Sequence, residues 1–273
     1  LSHSDHRVKL DIRHNTHYSY SEPIRYAIQS LWLTPQSGPT QTVEQWALQA
    51  PAPLNAQRDG FGNIVHTYTH IGEKLYKLVG AQGRVVTHAV HQLQDATGAP
   101  HPSLYLRSSP LAEPHERLRA FAQPLVAQGL SLQSILDLSQ RVSGAVSYKK
   151  GSTVVNTTAL EAFDWGTGVC QDQAHVFIAC CRCVGVPARY VSGYFYAANE
   201  PDLASHAWAD VCLDVESRLW VSIDITHACV TDERHVRLAI GTDYNACPPI
   251  KGIRHGGGEE TMTVDIRILP VDS

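Results

Sequence analysis

The spacing of apolar residues changes near residue 110, and this change limits the folds open to the chain. In the segment 8–20, apolar and polar residues alternate with the period of a half-buried strand. In the segment 132–147, apolar residues recur every three or four positions, which is the period of a helix with one buried face. The sequence therefore predicts an α+β protein, with a β-sandwich-like domain over residues 1–105 and a mixed core over residues 106–273.

Strands are expected on both sides of a helical stretch. Turn signals such as Asp59-Gly60 separate the first strands, which are predicted at 8–20, 24–33, 43–50, 61–70 and 83–90. The predicted helices are 111–128, 132–147, a short third helix whose capping box is Thr158 and Glu161, and 170–184. The strands predicted after them are 186–196, 204–213, 218–224 and 261–269. Residues 95–103 have the composition of a linker.

Composition and charge exclude several classes of protein. The chain has 273 residues, of which 43% are hydrophobic and 18% charged, and it carries a net charge of −4 with a pI near 6.4. This profile is typical of a globular protein with a substantial core, and neither nucleic acid nor an anionic membrane is the expected partner. The sequence has no apolar run approaching the roughly 18 residues that span a bilayer.

All seven cysteines lie after residue 169. A disulfide framework for the whole chain would not be confined in this way, so we expect reduced thiols in the cytoplasm and a packing role for most of them. Cys180 and Cys183 form a C-x-x-C pair at the C-terminal end of a predicted helix, where the dipole disfavours a thiolate, so we expect them to pack in the core. The chain starts at Leu1 instead of methionine, which leaves open a removed export signal.

The run 166-GTGVCQDQAH-175 places Cys170 after two glycines and at the start of a predicted helix. The partial positive charge of a helix N-terminus stabilises a thiolate, and glycines let backbone N–H groups approach a developing oxyanion. A cysteine at a helix start is nevertheless more often a small core residue. Position alone therefore leaves both roles open for Cys170.

A thiolate nucleophile needs a base, and the base needs a third group to orient it. His206 lies in the predicted strand 204–213, and Asp224 ends the next predicted strand. If these strands form a hairpin, the Asp224 carboxylate accepts from one ring nitrogen of His206 while the other nitrogen faces the thiol. Each residue has a common structural alternative, as a half-buried histidine or a turn aspartate.

Three longer motifs carry a family resemblance: 168-GVCQDQAHVFIACCRCVGVPARYVSGY-194, 204-ASHAWADV-211 and 220-WVSIDITH-227. They resemble the helix start, the strands and the D-P-T-like segment of the bacterial transglutaminase-like cysteine peptidase superfamily. The segments 14-HNTHYSY-20 and 59-DGFGN-63 are similar to the β domain that precedes this core in many bacterial members. The resemblance implies a papain/transglutaminase-like core, in which a helix-borne cysteine packs on an antiparallel sheet.

The resemblance also implies roles for single residues. Cys170 corresponds to the nucleophile, His206 to the general base and then acid, and Asp224 to the orienting carboxylate. Asp172 and His175 belong to the same helix motif and share one helix face, so they could hydrogen-bond. We expect them to support the loop or sheet beside the cysteine and to take no direct part in the chemistry.

Two positions depart from the family pattern, and the second hydrogen-bond donor for the oxyanion is still to be assigned. Ile225 stands where a proline is usual, and Gln173 stands where an aromatic residue is usual. An oxyanion needs a donor besides the Cys170 N–H, and Trp165 is the nearest side-chain candidate, unless its indole packs.

No cofactor is expected. A metal site would have to combine Cys170, Asp172, His175 and His206, but positions 170 and 172 point about 200° apart on a helix. The sequence also lacks a phosphate-binding G-x-x-x-x-G-K-[ST] loop, an H-E-x-x-H pair and a calcium-binding loop.

A Cys-His-Asp site forms a thioester from an amide and releases an amine. Water then completes hydrolysis, whereas a second amine gives transamidation, and the same residues serve both reactions. We favour a cysteine peptidase or amidase acting on a peptide or isopeptide bond, because transamidation needs a further feature that the sequence does not display. Transamidation and a binding or scaffold protein without turnover stay open as alternatives.

Overall fold

The computed structural model describes residues 7–198 and 205–271 of the chain. Within them the chain forms four α-helices: α1 Glu116–Gln128, α2 Leu132–Ala145, α3 Ala159–Trp165 and α4 Cys170–Cys183. It also forms fourteen strands: β1 Arg7–Leu31, β2 Gln41–Gln49, β3 Asn55–Arg58, β4 Ile64–His88, β5 Leu93–Gln94, β6 Ser147–Tyr148, β7 Thr167–Gly168, β8 Ala188–Phe195, β9 Ser205–Asp214, β10 Leu219–Asp224, β11 Cys229–Val230, β12 His235–Gly241, β13 Ile250–Gly256 and β14 Glu260–Pro270. The predicted α+β class is confirmed. None of the described helices is long and apolar enough to cross a bilayer.

Two strands of 25 residues each, β1 and β4, form the centre of the N-terminal sheet. They pair antiparallel along most of their length. The strands predicted at 8–20 and 24–33 form one continuous strand, β1. The chain does not turn at Pro23, and only the pairing register with β4 shifts there. The strands predicted at 61–70 and 83–90 likewise form one strand, β4. The prediction of two separate strands was wrong in both places.

The C-terminal strands return to this same sheet. Strand β14 pairs with β1 from Leu10 to Tyr20, and β13 pairs with β1 from Ile24 to Leu31. The sheet has the order β13-β1-β4-β2, with β14 also on β1 and β3 also on β4. Residues 250–270 therefore belong to the N-terminal sheet, although they were predicted as part of the core. The domain boundary near residue 105 stays a prediction.

The second sheet has the order β11-β10-β9-β8-β12, with β5 beside β10. Helix α4 packs on β8 and β9, and from Asp172 onward every residue of it is buried. The helix stops where the sequence predicts, before Gly185, whose φ of 78° suits glycine, and Pro187. The predicted strand 204–213 is found as β9, and residue 204 lies outside the described residues. A helix enclosed in this way holds its first residue, Cys170, in a fixed place.

Two side-chain amides from the N-terminal region complete the free edge of β12. Asn63 Nδ2 donates to the Ile240 carbonyl (2.8 Å), and Asn63 Oδ1 accepts from the Ile240 N–H (2.9 Å). Gln41 makes the same pair of bonds with the Arg237 backbone, at 2.9 and 2.8 Å. Each amide takes the place of a neighbouring strand, so the edge is satisfied and the N-terminal sheet is fixed to the second sheet.

We expect Asn63→Ala to lower the free energy of unfolding by about 2 kcal/mol, because both Ile240 backbone groups lose their partner. Gln57→Ala, at an exposed position of β3, is the matched control and should change stability by less than about 0.5 kcal/mol. Urea unfolding of both variants measures the difference. Equal losses would contradict the role of Asn63 in joining the sheets.

Candidate active site

Cys170 is the first residue of α4 and is half-buried. The N–H groups of a first helical turn have no partner within the helix, so positive partial charge lies beside the thiol. Gly168 is required just before it, because a Cβ there would lie 2.6 Å from Cβ of Asp172. Gly168 thus makes room for the Asp172 side chain to fold back over the helix start.

Asp172 fixes the start of α4. Its Oδ2 accepts from the Val169 N–H (2.7 Å) and from Thr153 Oγ1 (2.7 Å), which ties the loop to the helix. Burial raises the pKa of Asp172, although these two hydrogen bonds oppose the effect. The possible hydrogen bond between Asp172 and His175 does not form, because Oδ2 accepts from Val169 and Thr153 and Oδ1 has no partner among the described residues.

His175 contacts a different element. Its Nε2 accepts from the Tyr244 N–H (3.1 Å), and its ring lies 5.1 Å from the Tyr190 ring at an angle of 31°. Burial lowers the pKa of His175 to about 4, so the ring is neutral at physiological pH and can accept this bond. His175 therefore anchors Tyr190 and Tyr244 against α4.

His206 and Asp224 meet because β9 and β10 form an antiparallel hairpin. His206 Nε2 donates to Asp224 Oδ2 (2.9 Å), and both side chains are fully buried. Burial by itself would lower the pKa of His206, but the hydrogen bond and charge of Asp224, and then of Cys170, raise it to about 10. The remaining nitrogen, Nδ1, has no hydrogen-bond partner among the described residues.

Asp224 binds two further histidines that the sequence argument missed. Its Oδ2 also accepts from His227 Nδ1 (2.7 Å) and His235 Nε2 (3.0 Å), and its Oδ1 accepts from the His227 N–H (3.2 Å). Burial would raise the pKa of this carboxyl, but His206 first and then the other two imidazoles hold it well below its usual range. The Phe195 ring lies 5.2, 4.7 and 4.8 Å from the rings of His206, His227 and His235. A motif ending in D-I-T-H could have pointed to His227.

The four residues considered for a metal do not converge on one point, because Asp172 is bonded to the helix cap and His175 to the Tyr244 backbone. Another group comes closer: ligand atoms of His206, Asp224 and His227 lie within 4.8 Å of one another. Both of these imidazoles donate an N–H to the Asp224 carboxylate. The atoms that could bind a metal are therefore engaged in hydrogen bonds with one another.

Gln173 and Ile225, the two residues that depart from the family pattern, both hold the segment after Asp224 in place. Its Nε2 donates to the Val146 carbonyl (2.8 Å), and its Oε1 accepts from Thr226 Oγ1 (2.7 Å). Ile225 is buried in the core beside α4. A polar tie from α4 to residue 226 and an apolar anchor at 225 thus hold the segment after Asp224 without a proline.

Cys170 and His206 line one pocket of about 270 Å³. The N-terminal sheet also reaches it: His14 lines the wall, and its Nδ1 lies 2.8 Å from the hydroxyl of Tyr194. Burial lowers the pKa of His14 to about 4, so this imidazole is neutral at physiological pH. Both sheets therefore contribute residues to the pocket at Cys170.

Trp165 and Tyr190 differ in their relation to this pocket. The Trp165 side chain is largely exposed (55%) and is not among the residues that line it. Tyr190 does line it, and burial, followed by the charge of Cys170, raises the pKa of its hydroxyl, which stays protonated. Sequence reasoning missed Tyr190, because only the strand order brings it beside the helix start.

The C-x-x-C pair lies in the core. Cys180 and Cys183 are free and buried, and burial raises the pKa of both thiols. These thiols are therefore protonated packing groups, as predicted.

The His206–Asp224 pair should make stability depend on pH. The folded pKa of His206 is raised from 6.5 to about 10, so its contribution is complete below about pH 6.5 and is lost as the pH rises towards 10. We expect wild type to exceed His206→Ala in free energy of unfolding by roughly 2–5 kcal/mol at pH 6, and by clearly less at pH 9.5. Urea unfolding at both pH values measures this, and a difference that does not shrink would contradict the assignment.

Two family models match the chain. The model of the transglutaminase-like superfamily matches residues 119–225, and the model of the bacterial transglutaminase-like N-terminal region matches residues 10–85.

Similar proteins extend the match over most of the chain. An uncharacterized protein of Mycobacterium tuberculosis is 29% identical over 307 residues, covering 98% of this chain and 94% of the relative. An uncharacterized protein of Mycobacterium leprae is 24% identical over 277 residues, covering 95% and 98%. The crystal structure of a "Putative Cysteine Protease from Cytophaga hutchinsonii" has the same fold, with a TM-score of 0.80, 18% identity and coverage of 98% of this chain and 92% of that one. The chain belongs to the transglutaminase-like superfamily, with a bacterial transglutaminase-like N-terminal region preceding its core.

Proposed function

We propose that the protein catalyses thiol-dependent acyl transfer on amide bonds and that hydrolysis is the usual outcome. One observation carries this proposal: Cys170, at the start of a buried helix, lines the same pocket as a histidine that is hydrogen-bonded to a buried aspartate. A nucleophile, a base and an orienting group in this order are what amide cleavage by a thiol requires.

The charges favour a thiolate–imidazolium pair. With a pKa of about 10, His206 is protonated at neutral pH, and it lines the same pocket as Cys170. Asp224 balances the imidazolium from the opposite nitrogen. The positive partial charge at a helix N-terminus favours negative charge on the Cys170 sulfur during the attack.

The reaction then needs one proton carrier. The Cys170 thiolate attacks the carbonyl carbon, a C–S bond forms, and the carbonyl π electrons move to oxygen. As the C–N bond breaks, the leaving amine takes the Nδ1 proton of His206 and a thioester remains. Water attacks the thioester while His206 accepts its proton, and the C–S bond breaks to release the acid and restore the thiolate.

The oxyanion would be held by two donors. The Cys170 N–H is free of intrahelical bonds because it opens α4. The Tyr190 hydroxyl takes the role first expected of Trp165, since it lines the pocket and stays protonated beside the thiolate. The ring of Tyr190 is supported by His175, which would explain why the helix motif contains that histidine.

The substrate class we propose is a peptide or protein that carries a peptide or isopeptide bond. Hydrolysis is favoured because it needs only water as the second nucleophile. We also propose a reducing, cytoplasmic setting, because all seven cysteines are free and the nucleophile must stay reduced.

Alkylation and turnover test the nucleophile. We expect iodoacetamide to label Cys170 first, and His206→Gln to slow this labelling at pH 7 by at least about tenfold, because the thiolate loses its counter-ion. Cys170→Ala should abolish cleavage of a peptide library read by mass spectrometry, whereas Cys229→Ala, which removes the other half-buried thiol, should retain it.

A primary amine in the same library assay separates the outcomes. Free acids as products support hydrolysis, and amine-tagged products assign transamidation instead. Fast labelling of Cys170 without any turnover would favour a binding protein, and turnover that survives Cys170→Ala would overturn the proposal.

Tyr190→Phe tests the oxyanion donor. We expect kcat to fall by roughly 10²–10³-fold with little change in KM, because the hydroxyl would act only on the developing oxyanion. The rate of iodoacetamide labelling should stay at the wild-type level, since alkylation forms no oxyanion. An unchanged kcat, or an equal loss in both rates, would contradict this role.

A further inference from the structure

A second cavity, of about 560 Å³, opens on the N-terminal sheet and shares no lining residue with the pocket at Cys170. Its charged lining residues are Glu73, Lys74 and Lys77. The apolar part of its wall is formed by Pro23, Ala50, Pro51, Leu75, Tyr76 and Leu78. Cavities of this size, largely apolar with a few polar groups, are typical of small-molecule sites.

Lys77 is the unusual member of this wall. The residue is only 5% exposed, and it lies on the inner face of β4, opposite Tyr18 of β1. Its Nζ lies 4.3 Å from the centre of the Tyr18 ring and 5.4 Å from that of the Tyr20 ring. The two ring faces hold the ammonium by cation–π attraction.

The charge of Lys77 has no counter-ion within residues 7–198 and 205–271. Glu260, the carboxylate whose charge acts on it, is ion-paired with Arg254 instead (3.4 Å). Glu73 lines the exposed part of the cavity and forms no ion pair with Lys77. Burial lowers the pKa of Lys77 to about 8, while Glu260 opposes and Arg254 adds to this effect, so the ammonium is still mostly charged at pH 7.

A buried charge without a counter-ion is costly, and ring faces return only part of the hydration that it loses. We propose that this cavity is a binding site for an apolar carboxylate, whose anionic group pairs with Lys77 and whose aliphatic part lies on the apolar wall. The site is independent of the chemistry at Cys170.

Isothermal titration calorimetry at pH 7 tests the site with two probes, octanoate and N-acetyl-Ala-Leu, which distinguish a fatty acid from a peptide C-terminus. We expect at least one probe to bind, and n-octanol or the peptide amide, which lack the anion, to bind at least about tenfold more weakly. Lys77→Met keeps an aliphatic side chain over the tyrosines and should weaken binding roughly ten- to a hundredfold. Lys74→Met, which removes an exposed charge from the same wall, is the matched control and should retain most of the affinity.

NMR of the wild-type protein covers the case in which Lys77→Met does not fold. Addition of the bound probe should shift the Lys77 ε-methylene and Tyr18 ring resonances. Failure of both carboxylates to bind, equal affinity for n-octanol, or equal losses in Lys77→Met and Lys74→Met would overturn the proposal. Activity at Cys170 does not enter any of these readouts.

Discussion

The buried carboxylate of Asp224 is the group on which the candidate site depends. One of its oxygens accepts from three imidazoles, at 2.9, 2.7 and 3.0 Å, and no solvent reaches it. A buried anion in this position is stable only when it is balanced by donors and positive charge. The same balance raises the pKa of His206 to about 10. Nδ1 of His206 is left without a partner among the described residues, in the pocket that Cys170 also lines. Stability and proposed chemistry therefore share one interaction.

The remaining elements bring His206, which Asp224 holds, and Cys170 into one pocket. Helix α4 is enclosed by the core, and Asp172 ties its first turn to the preceding loop. Gln173 ties the same helix to residue 226, two positions beyond Asp224. The N-terminal sheet then closes the pocket through His14 and is itself held by amide contacts to β12. Thus the two sheets and α4 together form the site.

The sequence predicted the parts of the site that lie within local patterns. The helix start at Cys170 follows from period and glycine signals. The two strands bearing His206 and Asp224 follow from their period, and the hairpin that was assumed for them is found as β9 and β10. His235 could not be predicted in the same way, since it reaches Asp224 only through the order of strands in the sheet. The return of β13 and β14 to β1 also depends on long-range pairing that no local period encodes.

Nitrogen-15 NMR of the His206 ring tests the central claim most directly. The account predicts that both ring nitrogens are protonated at pH 7 and that Nδ1 loses its proton only as the pH approaches about 10. Asp224→Asn should move this titration to lower pH, because the balancing charge is removed. A neutral His206 ring at pH 7 in the wild-type protein would contradict the ion pair and the mechanism built on it.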